Sequence, residues 1–501
     1  MDWRAVRADN GKKAFPPTSL MELSILGGVN EIGGNRIMIR SRSGVLFFDY
    51  GKNFLKEEEL FQKPFMQPTS EEDYLRARLI SPMEIRSEDI KGVFISHAHQ
   101  DHWGYLSLLP RGSSVFVGRA AKVIIGAQVE LGHSDELTME FSTFRTGDVI
   151  GAGDFSVVPV HVDHSVPGSY GFLIECCGRR VAYTGDLRMH GPRRDMTLDF
   201  IERASSEGVD LLITEATKVA PENDPEASLV RLLEGRVLYR WGVNPPKRIG
   251  FELSNEGEVV GRVLSVMEGS DSLMLIEVSS SDADRIRSIS KVANKLGRKL
   301  VMDERVAFMI EALLGAGIEG LPSPGDYLLW RRKRRGSEGK EVKFGRSERR
   351  VLREFITRFE DKLGEEGVIW GERRREVLRR PQEFLVLTSN AARFLYEVPI
   401  DVEARIEFIL SRSEPFSEES ALSMDRLMNW LTLHSVKRYY RIHVSGHMLP
   451  DHISEFVDSV NPNLIVPIHT EHPDLFDAFL PRRMRGRVIL PRREEPIRVL
   501  G

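Results

Sequence analysis

The sequence predicts an α/β protein of two domains, and three observations support that prediction. The chain has 501 residues, more than one hydrophobic core usually organises, and 41% of them are apolar and 29% charged. Short apolar runs bounded by glycines fill the first 215 residues, as is typical of a mostly β sandwich. After about residue 216 strand-like and helix-like patterns alternate, which favours a second domain of parallel α/β type.

Charge, cysteine content and hydropathy narrow the class of protein. Lys and Arg total 70 against 74 Asp and Glu, so the net charge is −4 and any contact with a polyanion is expected to be local. Cys176 and Cys177 are neighbours, so they neither staple distant segments nor supply a four-thiolate zinc site. We expect a cytoplasmic protein without a membrane span, because no apolar stretch approaches ~18 residues.

The first domain is predicted to begin at Leu23, after an N-terminal extension of residues 1–22. The runs SILGG, RIMIR and GVLFFDYG predict strands joined by glycine-rich turns. Between the first two, GGVNEIGGN (residues 27–35) lacks the GK[ST] and GxGxxG patterns of phosphate-binding loops, so it predicts a tight hairpin turn. The runs GVFIS, FSVVPV, YGFLIE, RRVAYT and VDLLIT predict the later strands.

The second domain is predicted from a strand-helix-strand unit. LMLIEV and RKLVM flank a segment in which Ile286, Ile289 and Val292 recur at helical spacing. The charged stretch at 331–380 predicts exposed helices or partial disorder, and FLVLT at 384–388 predicts the strand that ends it. Helical patterns and the strand-like runs RIHVS and LIVPIH complete the chain.

A histidine cluster follows the strand GVFIS directly. His97, His99, Asp101 and His102 lie in SHAHQDHWG, and with 13 His in 501 residues coincidence is a poor explanation. Imidazole nitrogen and carboxylate oxygen suit Zn²⁺, with Mn²⁺ or Fe as alternatives. His97 and His99 can hold one ion while Asp101 and His102 hold a second, about 3.5–4 Å away.

Further ligands are expected from distant strand ends. His164 in PVHVDHSVPG and Asp186 in YTGDLR both stand beside glycines where strands finish, and a bridging carboxylate is the natural task for Asp186. Each residue alone would more often be a packed or capping residue, but their order with the histidine cluster favours the ligand interpretation. His133, His161 and His190 lack such support and are interpreted as surface or supporting residues.

These motifs resemble those of the metallo-β-lactamase-fold hydrolases of the β-CASP group, and most closely those of the ribonuclease J family. The order is Asp49 in FFDYG, then HAHQDH, His164 in DHSVP and Asp186 in TGD. The resemblance implies that Asp49 supports a ligand, that HAHQDH supplies four ligands, that His164 is a fifth and that Asp186 bridges two divalent metal ions, Zn²⁺ or Mn²⁺.

Three further motifs match the same group. Glu215 stands in LLITEAT, His447 in HVSGHM and His469 in VPIHTEH. DNA-processing members carry an apolar residue at the last position, so the retained His469 favours RNA as the substrate and partner. LRMHGPRR after TGD and the phrase TEAT depart from the usual ribonuclease J pattern.

The resemblance implies an α/β fold in which a metallo-β-lactamase αββα sandwich carries an inserted α/β β-CASP domain. The sandwich would comprise residues 23–215 and 401–501, and the inserted domain residues 216–400. The chain ends about 30 residues after His469, so we expect no separate C-terminal domain like that of bacterial members. Family members commonly dimerise, so a homodimer is an expected assembly.

Each requirement of phosphodiester hydrolysis has a candidate residue in the sequence. Two metals would activate water and clamp the phosphate, while His447 would protonate the leaving oxygen and Glu215 would orient that imidazole. His443, Ser445 and Gly446 are candidates for holding a 5′-phosphate, with a solvated turn as the alternative. The basic run at 331–335 is interpreted either as an RNA-backbone contact or as a solvated face.

The leading hypothesis is a metal-dependent ribonuclease in RNA processing or decay, with 5′ to 3′ exonuclease and endonuclease modes both open. A small-ester or thioester hydrolase is an alternative, because HxHxDH alone is shared across the superfamily. A catalytically silent subunit of an RNA-processing complex is a third, although the ligand positions are all retained in this sequence.

Overall fold

A computed structural model describes the chain over residues 21–61, 66–85, 89–221, 245–251, 253–331, 346–398, 405–412 and 418–498. The strands up to residue 215 are β1 (Glu22–Gly27), β2 (Arg36–Arg40), β3 (Val45–Tyr50), β4 (Ile90–Ile95), β5 (Ser114–Gly118), β6 (Glu140–Phe144), β7 (Ile150–Ala152), β8 (Phe155–His161), β9 (Tyr170–Cys176), β10 (Arg179–Tyr183) and β11 (Leu211–Glu215). The remaining strands are β12 (Lys247–Gly250), β13 (Leu273–Glu277), β14 (Lys299–Asp303), β15 (Tyr327–Trp330), β16 (Val368–Ile369), β17 (Phe384–Thr388), β18 (Ile406–Leu410), β19 (Arg438–Arg441), β20 (Leu464–Ile468) and β21 (Pro496–Arg498).

Helices cover the faces of the sheets. Those before residue 245 are α1 (Phe54–Leu60), α2 (Glu71–Arg76), α3 (Pro82–Ile85), α4 (Gln100–Trp103), α5 (Arg119–Glu130) and α6 (Arg194–Glu207). Those after it are α7 (Glu256–Met267), α8 (Ala283–Lys295), α9 (Glu304–Gly315), α10 (Arg346–Leu363), α11 (Arg373–Arg379), α12 (Ala391–Glu397), α13 (Glu418–Leu433) and α14 (Pro450–Val460). Among the described residues, no helix combines the length and apolar character that crossing a membrane requires.

Two sheets face each other across an apolar core. The first has the order β21-β1-β2-β3-β4-β5-β6 and the second the order β20-β11-β10-β9-β8-β7. Between them the ring of Phe48 lies 5.4 Å from Phe94 and 5.3 Å from Phe172, centroid to centroid. Ile124 of α5 packs on the outer face of the first sheet, and Phe200 of α6 packs with α14 on the second. The predicted αββα sandwich is confirmed.

Strand pairing explains how remote segments meet. β1 and β2 pair antiparallel, so the predicted turn at residues 27–35 does connect neighbouring strands. β20 returns from beyond residue 460 and inserts parallel to β11, with Glu215 level with Ile468. The residue after β20 is therefore placed beside the end of β11.

The inserted domain is a doubly wound parallel sheet in the order β12-β19-β18-β13-β17-β14-β15-β16. The predicted strand-helix-strand unit corresponds to β13, α8 and β14. The predicted end of this domain at residue 400 is wrong, because β18 pairs with β13 and β19 pairs with β12 in the same sheet. The predicted strand RIHVS is also displaced, since β19 ends at Arg441 and His443 lies in the following loop.

Within the charged stretch, residues 346–380 form more regular structure than the composition indicates. α10 buries Phe355 and Phe359 against the domain core, with Phe355 stacked edge-on to Phe308 at 5.7 Å, so this helix is not simply exposed. Residues 332–335 of the basic run lie outside the described residues.

A buried ion cluster fixes the inserted domain against the sandwich. Arg188, which follows β10, donates to Asp163 at 3.1 Å and to Asp284 of α8 at 2.6 Å. Arg193 donates to the same Asp284 carboxylate at 3.1 Å and to the backbone carbonyl of His164 at 3.2 Å. The contact between domains is thus continuous with the loop that carries a candidate metal ligand.

Replacing Asp284 with Asn should destabilise the protein by about 3–5 kcal/mol, because removing one partner of a buried ion pair leaves Arg188 poorly compensated. Urea unfolding measures the change. Glu455→Gln, which breaks the exposed Arg194–Glu455 pair at 3.2 Å, is the control and should cost less than about 1 kcal/mol. Equal losses in the two variants would show that the cluster does not anchor the domain.

Candidate metal centre

The site lies where the carboxyl ends of strands from both sheets meet. β3 and β4 supply one side of it, and β8, β10, β11 and β20 supply the other. Strand ends, and the short loops after them, carry polar residues into a common space. Asp49 and Glu215 lie in β3 and β11 themselves. The loops and the α4 turn carry His97, His99, Asp101, His102, His164, Asp186 and His469.

The first ligand cluster contains three imidazoles and one carboxylate. His99 Nδ1 lies 3.0 Å from His97 Nε2 and 3.2 Å from His164 Nε2. Asp186 Oδ2 lies 3.5 Å from His97 Nε2. All four ligand atoms lie within 4.8 Å of one another, close enough to share one ion.

The second ligand cluster contains Asp101, His102 and His469. Asp101 Oδ2 lies 3.1 Å from His469 Nε2 and 3.8 Å from His102 Nε2. The three ligand atoms again lie within 4.8 Å of one another. Asp101 and His102 are neighbours in the α4 turn, and the end of β20 brings His469 to them from more than 350 residues away in sequence.

The Asp186 carboxylate is shared by the two clusters. Its Oδ2 atom lies 3.2 Å from His102 Nε2 and 4.0 Å from His469 Nε2, besides its approach to His97. Both carboxylate oxygens are buried, and neither has a hydrogen-bond partner. Burial raises the pKa of Asp186, but the imidazoles of His102, His469, His447 and His97 outweigh it and hold that pKa well below its usual range.

An ionised carboxylate buried without a hydrogen-bond donor needs cations beside it. Its position beside both sets of imidazole and carboxylate side chains suits a site at which divalent cations could be held. The residues present therefore fit the divalent metal ions that the sequence implies.

Hydrogen bonds on the side away from the centre fix the orientation of four of the ligand imidazoles. In each, Nδ1 has a partner and Nε2 faces the centre. The pairs are His97 with Ser96 Oγ at 3.0 Å, His102 with Asp49 Oδ2 at 2.7 Å, His164 with the Gly446 carbonyl at 2.6 Å and His469 with Thr217 Oγ1 at 2.7 Å. The two hydroxyls give their own hydrogens to carboxylates, so Nδ1 is the donor in all four pairs.

Asp49 is the anchor of this supporting layer. Its Oδ1 accepts from the Ser96 amide at 2.7 Å and its Oδ2 accepts from Ser96 Oγ at 2.8 Å. The Tyr183 hydroxyl donates to the same carboxylate. The side chain of Asp49 is fully buried, so its charge acts on His102 without competition from water.

The imidazoles of the first cluster are held neutral. Burial lowers the pKa of His99 to about 4 and holds the pKa values of His97 and His164 well below their usual range. Burial also disfavours the charged forms of His102 and His469, yet the neighbouring carboxylates, chiefly Asp186, raise the pKa of each. A neutral imidazole has the free lone pair that a metal ligand requires.

His447 stands at the rim with its Nδ1 atom turned inward. That atom lies 3.4 Å from Glu215 Oε2, 3.2 Å from Thr217 Oγ1 and 3.7 Å from Asp186 Oδ2, and the side chain is 20% exposed. Glu215 is fixed by the amides of Thr217 at 3.1 Å and Met448 at 3.0 Å. Burial raises the pKa of Glu215, but His447 outweighs it and lowers that pKa.

The three predicted substrate residues lie in the loop before His447. His443 is close to Arg285, Ser445 Oγ accepts from the His447 amide at 3.1 Å, and the Gly446 carbonyl accepts from His164. Two backbone N–H groups at and after this turn already have partners within the protein. His447 N is bound to Ser445, and Met448 N is bound to Glu215.

Several supporting residues escaped the sequence analysis. Ser96 and Thr217 are polar residues beside motif residues at the ends of buried strands, a pattern that could have singled them out. His190, which the sequence indicated as a surface or supporting residue, donates from its Nε2 to the Ser445 carbonyl at 3.0 Å and holds the His447 loop. Asn35 was taken as part of a turn, but its amide lies 3.0 Å from His102 Nε2.

Comparisons with known proteins agree with this geometry. The profile of the β-lactamase superfamily domain matches residues 68–235. Ribonuclease J of Pyrococcus abyssi is 24% identical over 470 residues, which cover 90% of this chain and 90% of that protein. Ribonuclease J of Mycobacterium tuberculosis is 23% identical over 287 residues, 56% of this chain and 44% of the relative.

One solved structure shares the architecture over nearly the whole chain. A protein of unknown function from Enterococcus faecalis gives a TM-score of 0.67 at 20% identity, covering 96% of this chain and 100% of that one. The matched segment of this chain spans less than half the length of the mycobacterial relative. The sandwich therefore has the metallo-β-lactamase fold. The chain is similar to the ribonuclease J of Pyrococcus abyssi along most of its length.

Asp186→Ala should reduce the content of bound divalent ions from two per chain to one or none, because the shared carboxylate belongs to both clusters. Mass spectrometric metal analysis after dialysis measures this. Asp474→Ala, at an exposed carboxylate, should keep the wild-type content. A variant at Asp186 that retained two tightly bound ions would show that this residue is not a bridging ligand.

Metal-free protein should lose stability as the pH falls from about 6.5 towards 4. The higher value is the ordinary pKa of an imidazole, and the lower value is the pKa of His99 in the folded protein. In this range the imidazole binds a proton in the unfolded state and not in the folded state. Protonation therefore stabilises the unfolded state relative to the folded one. The raised pKa values of His102 and His469 do not offset the loss, since their contribution is already complete below 6.5.

Urea midpoints of chelated protein at pH 6.5 and pH 5 test this expectation. His99→Gln should show a smaller drop between the two pH values than the wild type. An identical drop in both proteins would assign the acid sensitivity to other groups.

Proposed function

We propose that the protein is a metal-dependent hydrolase that cleaves RNA phosphodiester bonds. The observation that carries the proposal is the position of His447, whose Nδ1 atom lies 3.4 Å from Glu215 and 3.7 Å from the shared carboxylate of Asp186. The segment after the inserted domain thus adds a proton-transfer pair to a two-cluster metal centre. A hydrolytic centre of this kind has both the ligands and an acid within one small space.

Hydrolysis of a phosphodiester needs an activated water, compensation of phosphate charge and a proton for the leaving oxygen. Divalent ions supply Lewis acidity toward water and phosphoryl oxygen when bound at such a centre. The residues His97, His99 and His164 on one side and Asp101, His102 and His469 on the other would hold them, with Asp186 between. Zn²⁺ suits this donor set best, and Mn²⁺ is the second candidate.

The proton for the leaving oxygen is assigned to His447. Glu215 and Thr217 occupy the side of its Nδ1 atom, so Nε2 is the atom that offers a proton toward the cleft. Histidine is the side chain that most often transfers a proton to or from a reacting group in enzymes. The partial exposure of His447 gives substrate access to it.

Glu215 orients that imidazole and stabilises its charged form. The carboxylate is buried and accepts from two backbone amides and the Thr217 hydroxyl, so it is held rigidly in the ionised state. Thr217 also accepts from His469 Nδ1, which connects the acid pair to the second ligand cluster. A carboxylate behind a histidine acts in the same way in other hydrolases.

RNA is proposed as the substrate from the similarity to ribonuclease J and from the retained His469. The similarity to the Pyrococcus abyssi protein covers both chains almost completely, including the inserted domain. The same resemblance carries the proposed cytoplasmic location and the proposed homodimer.

We place the 5′ end of the RNA near His443, Ser445 and Gly446, which favours the 5′ to 3′ exonuclease mode. Burial first, and then the cations Arg285, Arg441 and Lys218, hold the pKa of His443 well below its usual range. A neutral imidazole among cations can hydrogen-bond a phosphate without adding to the charge to be compensated. Arg285 is itself paired with Glu256 at 2.9 Å, so the Glu256 carboxylate partly compensates its charge.

His447→Ala should lower RNA hydrolysis by about 10²- to 10⁴-fold, the usual contribution of a general acid, while bound metal is unchanged. End-labelled RNAs with 5′-monophosphate or 5′-triphosphate, incubated with Zn²⁺ or Mn²⁺, provide the measurement, and metal analysis is run in parallel. His133→Ala, at an exposed imidazole, is the control.

Release of mononucleotides would support the exonuclease mode, and discrete fragments the endonuclease mode. Loss of metal from the His447 variant would make this residue a ligand instead of an acid. Wild-type protein that binds two ions and cleaves neither RNA would refute the proposed function.

A further inference from the structure

Arg285 joins three segments of the inserted domain that come together below the His447 loop. Its side chain is fully buried in the first turn of α8. Its Nε and Nη2 atoms donate to the two carboxylate oxygens of Glu256 in α7, at 2.9 and 3.1 Å. Because this pairing uses one side of the planar guanidinium, the Nη1 atom is left to contact other segments.

The Nη1 atom of Arg285 contacts the end of β18 and the start of the loop after β19. It lies 2.8 Å from the Ser411 carbonyl oxygen and 2.7 Å from Ser411 Oγ. It also lies 3.4 Å from the Ile442 carbonyl oxygen and 3.4 Å from His443 Nδ1. Ser411 Oγ donates in turn to the Ile442 carbonyl at 2.6 Å. The backbone before His443 and the ring of His443 are therefore both held by one buried guanidinium.

These contacts select one tautomer of His443. A guanidinium has only donors, so His443 Nδ1 is the acceptor in its contact with Arg285 and carries no hydrogen. Burial and the cations Arg285, Arg441 and Lys218 hold the pKa of His443 well below its usual range, so the ring is neutral. A neutral imidazole has one N–H group, which is then on Nε2.

An Nε2–H group at this position suits a phosphate oxygen. Arg441 and Lys218 lie close enough to lower the pKa of His443, so the potential around the ring is positive. With the proton on Nδ1 instead, Nε2 would present a lone pair, which repels an anionic oxygen. Glu256 already compensates the charge of Arg285, so Arg285 acts chiefly by directing the His443 ring.

We propose that Arg285 is a positioning residue for the 5′-phosphate of RNA, an inference that rests on the placement of the RNA 5′ end under the proposed function. It holds the start of the loop and donates to His443 Nδ1, so that His443 Nε2–H donates to a phosphate oxygen. Arg285 itself does not touch the substrate. RNA with a 5′-phosphate should therefore bind more tightly than RNA with a 5′-hydroxyl, and this preference should depend on Arg285.

Paired substitutions separate the direction of the His443 donor from its mere presence. His443→Gln places an amide N–H group near the position of Nε2, whereas His443→Asn places one near the position of Nδ1. Arg285→Lys keeps the charge and removes the planar fork. Arg298→Lys is the matched control, because Arg298 is a buried arginine of the same domain. It donates to the Ser272 and Ser270 carbonyls, at 2.8 and 2.6 Å, before β13 begins.

Binding is measured on chelated protein, so that hydrolysis plays no part in the result. Fluorescence anisotropy follows an oligoribonucleotide with a 3′ label and either a 5′-monophosphate or a 5′-hydroxyl. Loss of one charge-assisted hydrogen bond should reduce the preference for 5′-phosphate by about 10-fold or more in His443→Asn and Arg285→Lys. His443→Gln should retain most of the preference, and Arg298→Lys should match the wild type.

Nitrogen NMR of protein labelled with ¹⁵N-histidine tests the tautomer directly. The His443 signals are assigned by their absence in His443→Gln. Wild type and Arg298→Lys should show the hydrogen on Nε2, and Arg285→Lys should lose this fixed form. A wild-type ring protonated on Nδ1 would overturn the inference and leave the proposed hydrolase standing, even if Arg285→Lys failed to fold.

Three binding results would also overturn the inference. One is an undiminished preference for 5′-phosphate in Arg285→Lys, and another is an equal loss in Arg298→Lys, which would assign the effect to general destabilisation. The third is a wild type without any preference for 5′-phosphate, which would remove the placement of the 5′ end as well. Cleavage of the labelled RNAs by metal-loaded protein decides the proposed hydrolase separately.

Discussion

The structure depends on one electrostatic constraint, the burial of the Asp186 carboxylate without a hydrogen-bond donor. Charge in that position is tolerated only because imidazoles of His97, His102 and His469 face it from two sides. The Nδ1 atom of each of those rings in turn donates a hydrogen bond to an oxygen on the side away from the centre. The αββα sandwich provides this arrangement because the carboxyl ends of its strands meet at one edge, where short loops can direct side chains to a common point.

The inserted domain contributes more than a cover for the cleft. The loop that leaves its β19 strand carries His447 and also places the Gly446 carbonyl 2.6 Å from His164 Nδ1, so one loop positions both His447 and a member of the first cluster. The buried cluster of Arg188, Asp163 and Asp284 fixes the two domains close to this loop. The positions of His447 and His164 therefore depend on the docking of the domains.

The two ligand clusters differ in chemistry as well as in position. The first is rich in neutral imidazoles, held uncharged by burial. The second lies among carboxylates that raise the pKa values of His102 and His469, and the Asn35 amide lies beside it. The two clusters therefore offer different environments to any cation that they hold.

The sequence by itself predicted a β sandwich and a parallel α/β domain, because these follow from apolar runs and helical periodicity. Closely spaced ligand types singled out His97, His99, Asp101 and His102, while the resemblance to a family added Glu215, His447 and His469. The sequence wrongly placed the end of the inserted domain at residue 400. Membership of β18 and β19 in the third sheet depends on pairing with strands more than 100 residues away, which no local pattern shows. Only the tertiary structure decided which atoms face one another. The contacts of Thr217, His190 and Asn35 join segments from opposite sides of the cleft, and no local pattern encodes such distances.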